Sequence, residues 1–166
     1  PQQKLVIIGN GPSLKNEFDV IQQFVNSGKK EHDFICVNAF AVSKYYQSIK
    51  PDKYIIVDPL FFKDTPNNEF VNNRRNSTIK SLIDKTNWSV SLYVPRYYLK
   101  SFFVQSLSSN KYINIIAINN TPLSGGLEFL KHFLFKLNLG NPFGRNVMSI
   151  AIFLGIQKNY KNILLF

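Results

Sequence analysis

Gly9, Asn10, Gly11, Pro12 and Ser13 follow directly on the apolar run Leu5, Val6, Ile7, Ile8, in the order KLVIIGNGPSLK. That order suits phosphate chemistry. Gly9 and Gly11 permit backbone conformations closed to other residues and let a ligand come close to the main chain. Pro12 can sit at the start of a helix, where its missing N–H costs nothing. Ser13 can cap that helix. The free N–H groups of a helix start favour an anion, above all a phosphate. Small polar residues also stand where other apolar runs stop: Asn38 after FICV, Asp58 after KYIIV, and Asn119, Asn120 and Thr121 after YINIIAI. Such side chains could hydrogen-bond a ribose, a base or a phosphate. The residues also admit a plain strand–helix junction with no ligand.

Several phosphate and metal chemistries are disfavoured. No G-x-x-x-x-G-K-[ST] occurs, so the turn is not a P-loop. The G-x-G-x-x-G pattern fails at its last position, where Leu14 stands. The second apolar run ends in Asn38 rather than the acidic residue that would take an adenosine ribose. A dinucleotide dehydrogenase is therefore disfavoured. There is no D-x-D pair, and no His or Cys spacing suits a metal, so no metal site is expected. His132 lies in the apolar stretch EFLKHFLF and is expected as a partly buried structural residue rather than a base. Cys36, the single cysteine, lies within an apolar run and is expected as a small buried hydrophobe.

These residues need a scaffold, and the apolar pattern supplies one. Short β-rich runs at 5–9, 34–38, 53–58, 88–94, 112–119 and 162–166 alternate with longer stretches of helical spacing. Helices are expected at 14–24, 39–50, near 77–85, at 96–107, at 127–138 and at 146–157. Gly28 reads as a helix stop, and Pro51, Pro59 and Pro95 close elements. The asparagine-rich stretch 64–77 reads as a loop, and TPLSGG as a turn. Strands buried on both faces show near-continuous hydrophobic runs, as these do. The expectation is an α/β, Rossmann-like fold: a mostly parallel sheet of about six strands with helices on both faces. One domain over 1–166 is expected, truncated at its C-terminus because the chain stops inside an apparent core strand.

Charge narrows the partners. The 166 residues carry 20 Lys and Arg against 10 Asp and Glu, a net charge of +10. The cations are dispersed, with no run beyond KK and RR, which is a poor nucleic-acid footprint. Peripheral contact with an anionic membrane remains open, as does self-association. No apolar run reaches the ~20 residues needed to span a bilayer. A cytoplasmic location, peripheral at the inner membrane at most, is expected.

IIGNGPSLK, the run ending VNAF and the run ending VDPLFF together resemble the bacterial sialyltransferases that decorate surface lipo-oligosaccharide. Order and spacing match, with Asp58 standing where that family has asparagine. The stretch GRNVMSIAIFLGIQKNYKNILLF resembles the helix–strand unit after the donor loop in the same superfamily. It is also similar to 6-hydroxymethylpterin diphosphokinase-like relatives and to the central domain of motility accessory factors. The ends of the chain carry the resemblance, and the middle carries little. It implies a glycosyltransferase of bacterial surface polysaccharide, lipopolysaccharide or capsule. That enzyme would move an acidic sugar from a CMP-linked donor to a glycan acceptor, with no metal and no cofactor beyond the donor. Asn10, Gly11, Pro12 and Ser13 would then border the nucleotide, and Asn38 and Asp58 would hold ribose or donor sugar. The loop 141–146, with Gly144 and Asn146, would close over the donor. The family's histidine base has no counterpart here. A pterin or nucleotide pyrophosphokinase, and a non-catalytic nucleotide-binding module, are the alternatives.

Overall fold

The computed structural model describes residues 4–12, 14–27, 31–142 and 146–166. The expected alternation of strand and helix is present. β1 (Lys4–Ile8), β2 (His32–Val37), β3 (Lys53–Ile55), β4 (Val90–Pro95) and β5 (Ile113–Ile118) follow one another outward across one sheet. Between them lie α1 (Leu14–Asn26), α2 (Tyr46–Ile49), α3 (Glu69–Lys85) and α4 (Phe102–Leu107). The chain then forms β6 (Pro122–Leu123), α5 (Glu128–Lys136), β7 (Asn141–Pro142), α6 (Val147–Gln157) and β8 (Asn162–Leu165). The six-stranded sheet has the order β5-β4-β3-β2-β1-β8, and every pairing in it is parallel. The fold is α/β and Rossmann-like.

Alternation along the strands explains the two layers. Val6, Ile8, Phe34, Cys36, Tyr54 and Leu92 pack with Ile21, Ile79, Leu82 and Phe103 of α1, α3 and α4. Leu5, Ile7, Ile35, Val37, Ile55 and Tyr93 point the other way and pack with Ile150, Ala151 and Leu154 of α6. Crossovers between parallel strands are right-handed, so steps in one direction leave their helices on one face. After β5 the chain returns over the opposite face and enters β8 beside β1. The strand order therefore reverses at the β1–β8 pair, and the ends of these strands form the switch point where α/β sheets hold ligands.

Four expectations on elements need correction. The helix expected at 39–50 is a 3₁₀ turn, Asn38–Val42, followed by the single-turn α2. Asn38 is left-handed at φ 50°, so no helix can run through from it. The helix expected near 77 begins at Glu69, because Asn68 accepts a hydrogen bond from the Val71 N–H at 3.1 Å and caps it. The 96–107 stretch is a 3₁₀ turn, Arg96–Tyr98, and then α4, capped by Ser101. The TPLSGG turn contains β6, which pairs in parallel with β7.

Candidate functional site

The β1 strand runs straight into the glycine turn. The Gly9 N–H donates to the Phe166 carbonyl at 2.7 Å, and the Phe166 N–H donates to Ile7 at 3.0 Å. A Cβ on Gly9 would stand 3.3 Å from that same carbonyl and 3.6 Å from Met148 Sδ. Glycine here lets the β1–β8 ladder and the start of α6 close together. Beyond it lies a groove of about 370 Å³ at the switch point. Asn10, Gly11, Asn38, Arg74, Met148 and Phe166 are among its lining residues. A second groove of about 470 Å³ shares Asn10 and Arg74 with it and continues past Ser43, Asn73 and Ser77.

The electrostatics favour an anion. Among the described lining of both grooves Arg74 is the charged side chain, and no carboxylate side chain stands beside it there. Its guanidinium lies 5.3 Å from the centre of the Phe61 ring, a cation–π contact that orients it and spends none of its donors. Neighbouring Arg75 is engaged otherwise, with the Asp64 carboxylate and the Lys63 carbonyl, each at 3.1 Å. The starts of α1 and α6 reach the same groove through Leu14, Val147 and Met148. Two helix starts add positive potential to the guanidinium's charge.

Asn38 supplies a different chemistry. Its left-handed backbone is fixed by Tyr54, whose hydroxyl donates to the Asn38 carbonyl and accepts from the Ala41 N–H, both at 2.7 Å. Burial pushes the Tyr54 hydroxyl well above its usual pKa, and the neighbouring Cys36 and Tyr46 add to this, so it stays a donor. The Asn38 Oδ1 is buried and meets no donor among the described residues. A buried acceptor without a donor costs about 1–3 kcal/mol. A ligand hydroxyl or amine would recover that cost.

The structure brings Asn10, Gly11 and Asn38 together, and the other expected residues that it describes do not line this groove. Pro12 sits in the exposed turn. Ser13 and Gly144 lie outside the described residues, as does Gly28. Asp58 caps the Pro59–Phe61 turn, accepting from the Leu60 N–H at 3.0 Å, and does not line the groove. Asn119 accepts from the Thr121 N–H at 3.1 Å. Asn141 Nδ2 donates to Asn120 Oδ1 at 2.8 Å, and its distance to the Asn119 carbonyl is 3.4 Å. These residues latch the end of β5 to β7, away from Asn10. Asn146 caps α6, accepting from the Ser149 N–H at 3.0 Å. It therefore builds one of the helix starts at the groove without lining it.

Arg74, Met148 and Phe166 were not anticipated. Their signals are weak: one arginine of an RR pair in a polar stretch, and two apolar residues in apolar runs. His132 needs correction. Its side chain is exposed and lies 3.8 Å from the Glu128 carboxylate, because that face of α5 points to solvent. Cys36 is buried, as expected, and burial pushes its thiol pKa well up. Among the described residues no three His, Cys, Asp or Glu cluster as metal ligands, and no helix is long and apolar enough to cross a membrane. No family model, curated protein or solved structure matches the chain.

Proposed function

We propose that the switch-point groove binds a nucleotide-activated sugar, and that the chain is the donor-binding part of a sialyltransferase-like glycosyltransferase of bacterial surface polysaccharide. The donor would be a CMP-linked acidic sugar and the acceptor a glycan. One observation carries this reading: Arg74 and the buried, donorless Asn38 Oδ1 meet at the glycine turn in a groove whose described lining holds no carboxylate. Arg74 and the starts of α1 and α6 would take the donor phosphate. The Asn38 Oδ1 would accept from a ribose hydroxyl, and the Asn10 side chain would reach the same nucleotide. No His, Cys, Asp or Glu stands among the described lining residues, so these residues bind and orient and are assigned no proton transfer.

Calorimetric titration with CMP, CDP, ATP and GTP, each with and without Mg²⁺, tests the reading. CMP should bind with or without Mg²⁺, and Asn10→Ala should weaken it by about 1 kcal/mol without unfolding the protein. A response confined to ATP with Mg²⁺ would favour pyrophosphoryl transfer instead, since that chemistry relies on the metal. If no nucleotide binds, the proposal fails.

A further inference from the structure

The opposite face of the sheet carries a second cavity, unconnected with the glycine turn. α6 packs over β1 and β2, and on that face Ile116 and Ile118 of the edge strand β5 stay partly exposed. A trough of about 480 Å³ opens there. Tyr93, Ile116 and Ile118 of β4 and β5 and Ile150, Phe153 and Leu154 of α6 supply its apolar lining. The segment 137–141 closes another side. That segment is tied down at both ends. Gln157 Nε2 donates to the Phe135 carbonyl at 2.9 Å, and Asn141 Nδ2 donates to Asn120 Oδ1 at 2.8 Å. Phe135 also meets the Phe153 ring edge-on, with centroids 5.4 Å apart. The cavity is thus a built space of a size typical for small ligands, about 300–1,000 Å³.

Its charge is one-sided. Arg96 and Lys158 line it, both are exposed, and neither has an ion-pair partner among the described residues. No carboxylate is among the described lining residues. An apolar lining with two unpaired cations suits a molecule with an aliphatic body and an anionic head. We propose that this trough is a binding site for a single-chain amphipathic anion, its tail against Ile116, Ile118 and Phe153 and its phosphate or carboxylate head held by the cations of the lining, Arg96 and Lys158. Leu137 lines the trough and also belongs to an exposed apolar stripe on α5 with Phe129 and Phe133. Two sources of such an anion therefore exist: a free amphiphile, or a lipid drawn from an anionic bilayer on which α5 rests.

The test titrates dodecyl phosphate, below its micellar concentration, into the protein by calorimetry. Octyl phosphate, dodecanol and inorganic phosphate serve as comparisons. Binding at one site is expected, at least tenfold tighter than either dodecanol or inorganic phosphate, and tighter for the dodecyl than for the octyl chain. The double variant Arg96→Ala, Lys158→Ala should weaken dodecyl phosphate at least tenfold, leave dodecanol unchanged and keep its melting temperature. Saturating CMP should change nothing. Co-sedimentation with phosphatidylcholine vesicles carrying oleate, a single-chain anion, lost in the double variant, identifies the bilayer as source. The same titration without co-sedimentation identifies a free amphiphile. Failure of dodecyl phosphate to bind, equal affinity for inorganic phosphate, retention within twofold by the double variant, or competition by CMP would each overturn the proposal.

Discussion

Two side chains define the proposed donor site, and their contributions separate experimentally. Arg74 has no ion-pair partner among the described residues, and its half-buried side chain lies over the buried Phe61 ring. Arg74→Ala should therefore cost about 0.5–2 kcal/mol of stability, the size of one cation–π contact, and leave the protein folded. Calorimetry should show CMP affinity falling about tenfold or more, since a hydrogen bond to a charged group contributes about 1.5–3 kcal/mol. The remaining affinity should also lose much of its salt dependence. Asn38 couples stability to binding. Its φ of 50° suits asparagine or glycine and strains alanine. Asn38→Ala should cost about 1 kcal/mol in chemical denaturation, whereas Asn38→Gly should stay near the parent. Both remove the Oδ1 acceptor, so both should weaken CMP by the same factor. If Asn38→Gly kept full affinity, the amide would serve only the backbone turn.

Secondary structure presents these side chains, and its legibility in the sequence was uneven for physical reasons. The strands announced themselves: LVII, FICV and LYV are apolar without interruption because the sheet packs on both faces. α3 did not. Its buried positions, Val71, Thr78, Ile79 and Leu82, are few, and Asn72, Asn73 and Asn76 between them lower its helix propensity. Tertiary packing and the Asn68 cap override that propensity. Because the stretch read as a loop, Arg74 read as dispersed surface charge. Asn68→Ala should cost about 1 kcal/mol of stability, as loss of a capping side chain does. Calorimetry should find CMP affinity unchanged, because Arg74 lies beyond the first turn of the helix. β6 and β7 were invisible for a simpler reason: two-residue strands carry no periodicity. Asn119 and Asn120 are kept from the glycine turn by the strand order, which puts β5 at the edge away from β1, a distance no local reading could give.

The sheet's order is a long-range property. Parallel pairing followed from the alternation of strands and helices, but the position of β8 beside β1 depends on a return path across the second face. The other face, packed against α1, α3 and α4, buries the groups that make the fold sensitive to alkaline pH. Tyr46 and Tyr54 are fully buried with their rings edge to face, and Cys36 is close to both in the same cluster. Burial raises the pKa of all three; Tyr46, hydrogen-bonded to Thr86 Oγ1 at 2.8 Å, is raised despite that bond. In the unfolded chain the thiol ionises near 8.5 and the phenols near 10. The folded protein keeps these protons at higher pH, so the unfolded state binds fewer of them there. Stability is therefore full below about pH 8.5 and falls as pH rises. The limiting slope is about 1.4 kcal/mol per pH unit for each group that ionises only on unfolding. Domains hold about 5–15 kcal/mol in all, so three such groups should bring unfolding within reach of pH 11–12. Urea midpoints measured from pH 7 to 11 should stay level and then decline, more steeply above 10. Tyr46→Phe should start lower, having lost the Thr86 bond, and decline less steeply by about 1.4 kcal/mol per unit. An equal slope in the two proteins would mean that the Tyr46 hydroxyl reaches solvent, and that this half of the core is looser than its packing implies.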